Sequence, residues 1–468
     1  SAIAGRSLEE KDSQLTLLAV GDDDQNIYTF RGANVRFIRR FQEDYPSETI
    51  YLVENYRSSG HIIAASNALI RTNRDRMKGD HPIQINHARK ATDPGGRWNR
   101  LDPVGQGRIR IVSIDSRILQ AEYIKTEIER IKELDPKTRW QDFAVLSRAK
   151  STLSTVRTVF EKAEYPIRTT LEKGLSLHRL REFQLIFDWM VSNEKENLRT
   201  SDIQKHLSVI LRERKMNIWW KIIKTFLDDY QESTDDSILP CSWAIDRLYE
   251  FAAEQRRDKV IGQGIFMSTI HSAKGMEFPH VFITDGDWHI SDRKDQWEEE
   301  LRVLYVGMTR AEENLHLLKL TPNPNPFLRE FRGNFMMPFT YRGKTDSVGI
   351  DGRQYEILGL EHIYMDYAAN FSEKHQIHEQ LSKLEAGDSV FFCPKNDKIE
   401  ICNGNGICLA RLSQEGSKYW QNRLKNVLDV RVLAMYQRNR EDAADGFQER
   451  IQTDSWELPI LEVVHTAQ

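Results

Sequence analysis

Short apolar runs that stop abruptly in polar loops recur along this chain, and that pattern constrains the fold more than any other feature. Leu15-Thr-Leu-Leu-Ala-Val20 runs into Gly21-Asp-Asp-Asp-Gln25. Thr49–Val53 runs into Asn55-Tyr-Arg-Ser-Ser59, and Phe266–Thr269 into Ile270-His-Ser-Ala-Lys274. A continuous apolar run of this length reads as a parallel strand buried on both faces. Helical patterns stand between the runs: Gly60 to Arg71, then Ala121, Ile124, Ile128 and Ile131 at helical spacing, then Leu153, Val156 and Phe160. Strand, loop, helix is the grammar of α/β folds, whose ligands sit at the carboxyl ends of the strands. Chemistry is therefore expected in the loops.

The rest of the chain divides by texture. Residues 90–106, rich in Gly, Pro, Asp and Arg, read as a linker. Strands are expected at Arg108–Ile114 and Phe143–Leu146. Residues 172–258 are charged and helical in pattern, with Trp189, Trp219, Trp220 and Trp243. The α/β grammar then returns, with strands at Phe266–Thr269, His280–Ile283 and Leu315–Leu318 and a helix at Glu298–Gly307. Residues 340–412 look β-rich, with alternation in Asp388–Phe392 and a turn at Asn403–Gly406. A closing helix is expected around Tyr419–Val427.

At 468 residues, 40% hydrophobic and 29% charged, the chain has material for about three globular domains. It has no apolar run of the roughly 18 residues a membrane span needs, and no signal-peptide pattern in its first residues. Four cysteines make a disulfide framework improbable and point to the reducing cytoplasm. Cys393, Cys402 and Cys408 lack zinc-site spacing and read as free thiols. The net charge of −4 gives no global basic excess, so nucleic-acid binding would need a local basic channel.

Four loops carry residue types suited to phosphate and base recognition. In Gly21–Ala33, the carboxylates and Gln25 suit a terminal phosphate or a metal-bound water, while Tyr28, Phe30 and Arg31 offer surfaces for unstacked bases. In Asn55-Tyr56-Arg57, an aromatic face stands beside a guanidinium whose planar fork binds phosphate bidentately. In Thr269–Glu277, the hydroxyls, His271 and Lys274 suit a phosphodiester backbone, and Glu277 a ribose hydroxyl. Along Glu298–Ala311, Arg310 would project from a helix end, the place of an arginine finger. Read singly, these are a solvated acidic turn, a surface arginine, a structural histidine and a helix-terminal arginine favoured by the dipole.

Together and in this order the loops resemble the motor core of superfamily 1 helicases of the UvrD/Rep/PcrA group. Gly21–Ala33 resembles that family's motif III, Asn55–Ser59 motif IV, His271-Ser-Ala-Lys-Gly-Met-Glu-Phe278 motif V and Glu298–Ala311 motif VI. Asp142–Arg148 resembles the added strand between motifs IV and V. The resemblance covers residues 15–320. It implies an α/β fold of RecA-like P-loop NTPase helicase domains: a remnant of domain 1A over residues 1–90, domain 2A over 105–170 and 260–322, a helical 2B-like insertion over 171–259, and a β-rich accessory domain over 340–468.

The resemblance further implies that Gln25, Arg57 and Arg310 contact the γ-phosphate of ATP, that Tyr56 stacks on adenine and that Glu277 holds the ribose. Tyr28, Phe30, Arg31, Arg148, Thr269 and His271 would line the single-strand track, Phe30 standing where many relatives carry Trp. The implied partners are single-stranded and duplex DNA, with a protein partner at the C-terminal β domain. ATP and Mg²⁺ are the implied cofactors, with no metal ligand assigned to this chain. Such a motor needs Gly-x-Gly-Lys-Thr/Ser and an Asp-Glu pair, and neither occurs ahead of Gly21. The chain is therefore expected to be the C-terminal part of a larger helicase, translocating 3′ to 5′, and to be inactive by itself. The alternative is a non-catalytic single-strand-binding scaffold on a degenerate helicase fold.

Overall fold

A computed structural model of the chain describes residues 18–29, 36–45, 47–74, 76–86, 93–170, 175–258, 260–261, 264–288, 294–329, 331–343, 352–443, 446 and 448–466. The chain divides into two compact units, one of Ser1–Ser113 with Ala273–Thr340, the other of Ile114–Ser272 with Tyr341–Gln468.

In the first unit the strands lie in the order Met336–Thr340, Ile109–Ile114, Ala311–Leu320, Phe278–Ile283. The first two pair in parallel, and so do the last two. The three inner strands are largely buried: Ile109, Val112, Val281, Phe282, Leu315 and Leu317 are all at most 1% exposed, while Met336–Thr340 lies at the edge and is partly exposed. The Gly60–Ile70 helix buries Ile62, Ala65, Leu69 and Ile70, and the Lys294–Met308 helix buries Leu301, Leu304, Tyr305 and Met308. At the end of the Phe278–Ile283 strand, Asp285 is 1% exposed and accepts bonds from Leu320 N at 2.8 Å and Asn325 N at 2.9 Å.

Two of the expected strands differ. Residues 18–20 and 47–53 adopt no strand, and Leu18, Val20, Ile50 and Leu52 are 88, 80, 76 and 79% exposed. Leu15–Thr16–Leu17 lie outside the described residues. A strand exists only when a neighbour completes its hydrogen-bond ladder. Among the described residues of this segment, a ladder forms between Glu54–Asn55 and Gln84–Ile85.

In the second unit, Phe143–Ser147, Ile265–Thr269 and Ile167–Thr170 pair in parallel, with Val260–Ile261 antiparallel at the edge. Helices Arg117–Leu134 and Lys150–Lys162 belong to this unit. The helical segment holds Arg181–Ser192, Thr200–Ile210, Ile218–Thr234 and Cys241–Asp258. Two antiparallel three-stranded sheets follow: Arg353–Leu358, Ser455–Thr466 and Val427–Asn439 in one, Phe391–Lys395, Lys398–Cys402 and Cys408–Arg411 in the other. All four cysteines are free. The closing helix ends at Gln421, earlier than its pattern suggests, and Val427 already begins a strand of 13 residues.

Candidate functional site

The site of the first unit is built on the turn Asp23–Gln25. Asp22 caps it, accepting from Asp24 N at 3.2 Å. Each carboxylate of the turn is engaged. Asp22 pairs with Lys78 at 2.6 Å, Asp23 accepts from Met77 N at 2.6 Å, and Asp24 takes both arms of Arg76 at 2.8 and 2.7 Å. Their oxygens lie close enough together to hold a cation, but Lys78, Arg76 and the Met77 amide already engage them, so we read the cluster as structural. The basic stretch Arg71–Lys78 was the sequence signal for this, since buried carboxylates demand countercharge.

The turn presents Gln25 to Arg310. Gln25 Nε2 donates to Asp22 at 2.7 Å, and Gln25 Oε1 accepts from Arg310 Nη2 at 3.4 Å. Arg310 lies between the Lys294–Met308 helix and the Ala311–Leu320 strand and is 2% exposed. Its other donors reach Val306 O at 3.0 Å, Met276 O at 3.1 Å and Thr309 Oγ1 at 3.1 Å. Burial, and then the neighbouring Arg57, push its pKa down to about 10. It is a cation at neutral pH. A buried cation repelled by a second arginine is an electrostatic arrangement that an incoming anion relieves.

Arg57 arrives from Asn55–Ser59. Asn55 Oδ1 accepts from Arg57 N at 2.9 Å and Ser58 N at 2.8 Å, folding the loop over its own side chain. Ser58 Oγ donates to Ala311 O at 2.7 Å and Ser59 N to Glu312 O at 2.8 Å, which pins the loop beside the residue that follows Arg310. The Arg57 guanidinium pairs with Glu277. Tyr56 is 63% exposed, its hydroxyl donating to Glu54 at 2.7 Å, which leaves its ring open to solvent. Beyond Arg57 opens a cleft of about 580 Å³, lined among others by Ser58, Ser59, Trp98, Arg100 and Glu312.

Gln25, Arg57, Glu277 and Arg310 are thus brought together, with Tyr56 and Tyr28 on adjoining loops. Arg76, Asn55 and Ser58 hold them in place, and Lys274, expected at a phosphodiester backbone, instead donates to Gln25 O at 2.8 Å. Arg148, Thr269 and His271 belong to the second unit. There Ser147 and Thr269 are register partners, and Ile270 N donates to Ser147 O at 2.9 Å, so the loop ends carrying them are neighbours. Phe30 and Arg31 lie outside the described residues.

A parallel sheet beside loops that gather two arginines, a glutamine and a glutamate marks an α/β protein with a paired-guanidinium loop cluster. Comparison with known proteins says which. The family profile of the UvrD-like helicase C-terminal domain matches residues 50–240 and 221–321, and that of the UvrD/REP helicase N-terminal domain matches residues 6–46. The chain belongs to the UvrD-like helicase family. A DNA helicase II from Haemophilus influenzae is 25% identical over 390 residues, 64% of this chain and 50% of that protein. The ATP-dependent DNA helicase PcrA of Bacillus subtilis is 26% identical over 375 residues, again 64% and 50%. DNA helicase II of Escherichia coli K12 is 25% identical over 377 residues, 64% and 51%. The chain spans about half the length of the curated relatives it matches. Among the described residues no helix is long and apolar enough to cross a membrane.

Proposed function

We propose that this chain is part of a cytoplasmic ATP-dependent DNA helicase that moves 3′ to 5′ on single-stranded DNA and unwinds duplex in replication, repair or recombination. Residues 1–90 then belong to the first motor domain, 105–170 and 260–322 to the second, 171–259 to a 2B-like insertion and 340–468 to an accessory domain suited to a protein partner. The observation that carries the reading is the buried Arg310 facing Gln25, with Arg57 close enough to depress its pKa.

In this reading Gln25, Arg57 and Arg310 take the γ-phosphate. Phosphate outcompetes one carboxylate for a guanidinium fork, because it offers more charge and oxygens at the fork's spacing. Arg57 therefore leaves Glu277 when ATP enters, and Glu277 becomes free to accept from a ribose hydroxyl. Tyr56 covers the adenine. Tyr28, Phe30, Arg31, Arg148, Thr269 and His271 line the strand. The family's Mg²⁺ does not fit the Asp22–Asp24 carboxylates, which protein donors occupy, so no step here runs through the metal.

The test is single-strand-stimulated ATP hydrolysis by the chain extended upstream through a phosphate-loop segment. Arg310→Ala is expected to lower kcat by about 10³-fold, the scale of a lost arginine finger, with oligonucleotide binding retained. An extended protein that binds single strands but hydrolyses nothing would instead be a nucleic-acid-binding scaffold.

A further inference from the structure

Three of the four cysteines stand on one small sheet of the second unit, and no role given above uses them. Cys393 lies opposite Glu400, Glu400 opposite Arg411, and Cys402 opposite Cys408. Alternate residues of a strand share a face, so Glu400 and Cys402 point to one side, with Cys393 and Cys408 across from them. Cys402 is 3% exposed, Cys393 and Cys408 are partly buried, and all three are free thiols. Cys408 has the richest polar surroundings. Its thiol donates to Ala410 O at 3.4 Å, the Tyr367 hydroxyl lies 3.1 Å from its sulfur, and the Arg411 guanidinium stands 4.8 Å from the centre of the Tyr367 ring. Burial raises the Cys408 pKa and Glu400 adds to the rise, while the Tyr367 bond and the Arg411 charge oppose it. Burial, and then the neighbouring Cys393, raise that of Cys402 with nothing to oppose them. The two thiols are therefore unequal: Cys408 is the more exposed and the more easily ionised, and Cys402 is the sheltered one.

We infer that Cys402 and Cys408 form a thiol–disulfide site, which a peroxide closes and a thiol reductant reopens. Residues directly opposite in an antiparallel pair have Cα atoms roughly 4.5–5.5 Å apart, inside the span of about 4.4–6.8 Å that a disulfide needs. Cys393 meets Cys402 on the diagonal, at roughly 7–8 Å, and is the poorer partner. The turn between the strands already holds their ends: Asn403 N donates to Ile407 O at 3.0 Å and Gly406 N to Asn403 O at 2.9 Å. A preformed metal site does not compete, because among the described residues Asp22–Asp24 alone bring three ligand atoms that close together. In the first step the Cys408 thiolate attacks a peroxide oxygen. The S–O bond forms, the O–O bond breaks, and the leaving hydroxide takes up the proton the thiol released. In the second, the Cys402 sulfur attacks the sulfenic sulfur of Cys408. The S–S bond forms, the S–O bond breaks, and a second water leaves with the Cys402 proton. The two thiols lose two electrons and the peroxide is reduced to water. Cys408 can then no longer donate to Ala410, and the Tyr367 hydroxyl loses its thiol partner.

The experiment treats the folded chain with hydrogen peroxide, blocks the remaining thiols with N-ethylmaleimide under denaturing conditions, and maps tryptic peptides without reduction. Cys402 and Cys408 share the peptide Ile399–Arg411, and Cys393 falls in another. The expected result is an Ile399–Arg411 peptide lighter by two hydrogens and carrying no maleimide, with the blockable thiols falling from four to two. Dithiothreitol should restore both. Two variants check the order of attack, with circular dichroism to establish folding. Cys402→Ser should leave a sulfenic acid on Cys408 that dimedone traps, and Cys393→Ser should form the same disulfide as the parent. A peptide in which both cysteines still take maleimide after peroxide overturns the inference, and so does a bond from Cys402 to Cys393. Because the map is read on the unaltered chain, either result counts even if a variant fails to fold.

Discussion

Asp24 is 1% exposed, and its carboxylate receives both arms of Arg76, whose own side chain is 10% exposed. Charges that deep are tolerated only in pairs, and deleting one partner strands the other in a medium that solvates it poorly. Hydrogen bonding to Asp24 holds the Arg76 guanidinium above its ordinary pKa although burial opposes it. We expect Arg76→Met to cost about 3 kcal/mol, read as a lower urea midpoint for the first unit. Pairing it with Asp24→Asn should recover part of the loss, since no unpaired charge then remains. A midpoint unchanged in Arg76→Met would show that the acidic turn stands without its counterion, leaving the carboxylates free for a cation.

Secondary elements that could be read from the sequence share one physical trait: each is recognisable from its own residues. Phe143–Ser147 and Ile265–Thr269 are nearly continuous apolar runs that end where polar loops begin, and both are strands. Leu18–Val20 and Ile50–Leu52 carry the same local signal without forming strands, because a ladder depends on neighbours that a local window does not contain. Val427–Asn439 was hidden differently. It alternates burial, with Arg431 and Arg438 among its residues, and pairs with Ser455–Thr466 across a long connection. The site follows the same rule. Arg57 and Arg310 are recognisable from their motifs, whereas Arg76 and Lys274 act through partners about 50 and 250 residues away.

The start of the Ile218–Thr234 helix offers a test at this scale. Asn217 Oδ1 accepts from Trp219 N at 2.9 Å and Trp220 N at 3.1 Å, while its Nδ2 donates to Glu182 at 2.6 Å. Burial raises the Glu182 pKa, against the Asn217 bond and the Arg181 charge that lower it, and Glu385 adds to the rise. An acid whose folded pKa is raised binds more protons folded than unfolded, so its contribution to stability falls as pH climbs from the ordinary glutamate value of 4.5 through the raised one. Asn217→Ala removes the cap, about 1 kcal/mol, and also the donor that keeps Glu182 ionisable. The destabilisation should be smallest near pH 4.5 and grow toward neutrality. A penalty independent of pH would mean that the cap alone matters.

Across the second unit, a single hydrophobic core ignores the boundary in texture near residue 340. Phe183, Ile186, Trp219, Trp220 and Leu248 of the helical segment join Leu358, Trp420, Val430, Ala434 and Leu461 of the β-rich part in one cluster. Polar bonds cross it as well. Trp219 Nε1 donates to Leu433 O at 2.9 Å, and Arg181 reaches Leu381 O and Glu457 at 2.6 and 2.5 Å. Arg157 adds a clamp on the Lys150–Lys162 helix, with both arms on Glu462 at 2.7 Å and its guanidinium 3.9 Å from the Tyr355 ring centre. Two indoles at 0% exposure cannot be uncovered cheaply, since each buries roughly 150–250 Å² and burial is worth about 25 cal/mol per Å². Truncation before Tyr341 should therefore unfold the helical segment along with the sheets it loses. Limited proteolysis should cut within 181–258, helical circular dichroism should fall by more than the short helices deleted, and tryptophan emission should shift to the red. A truncated protein that keeps those four helices protected would show that they form a core of their own, and that the C-terminal sheets merely lean on it.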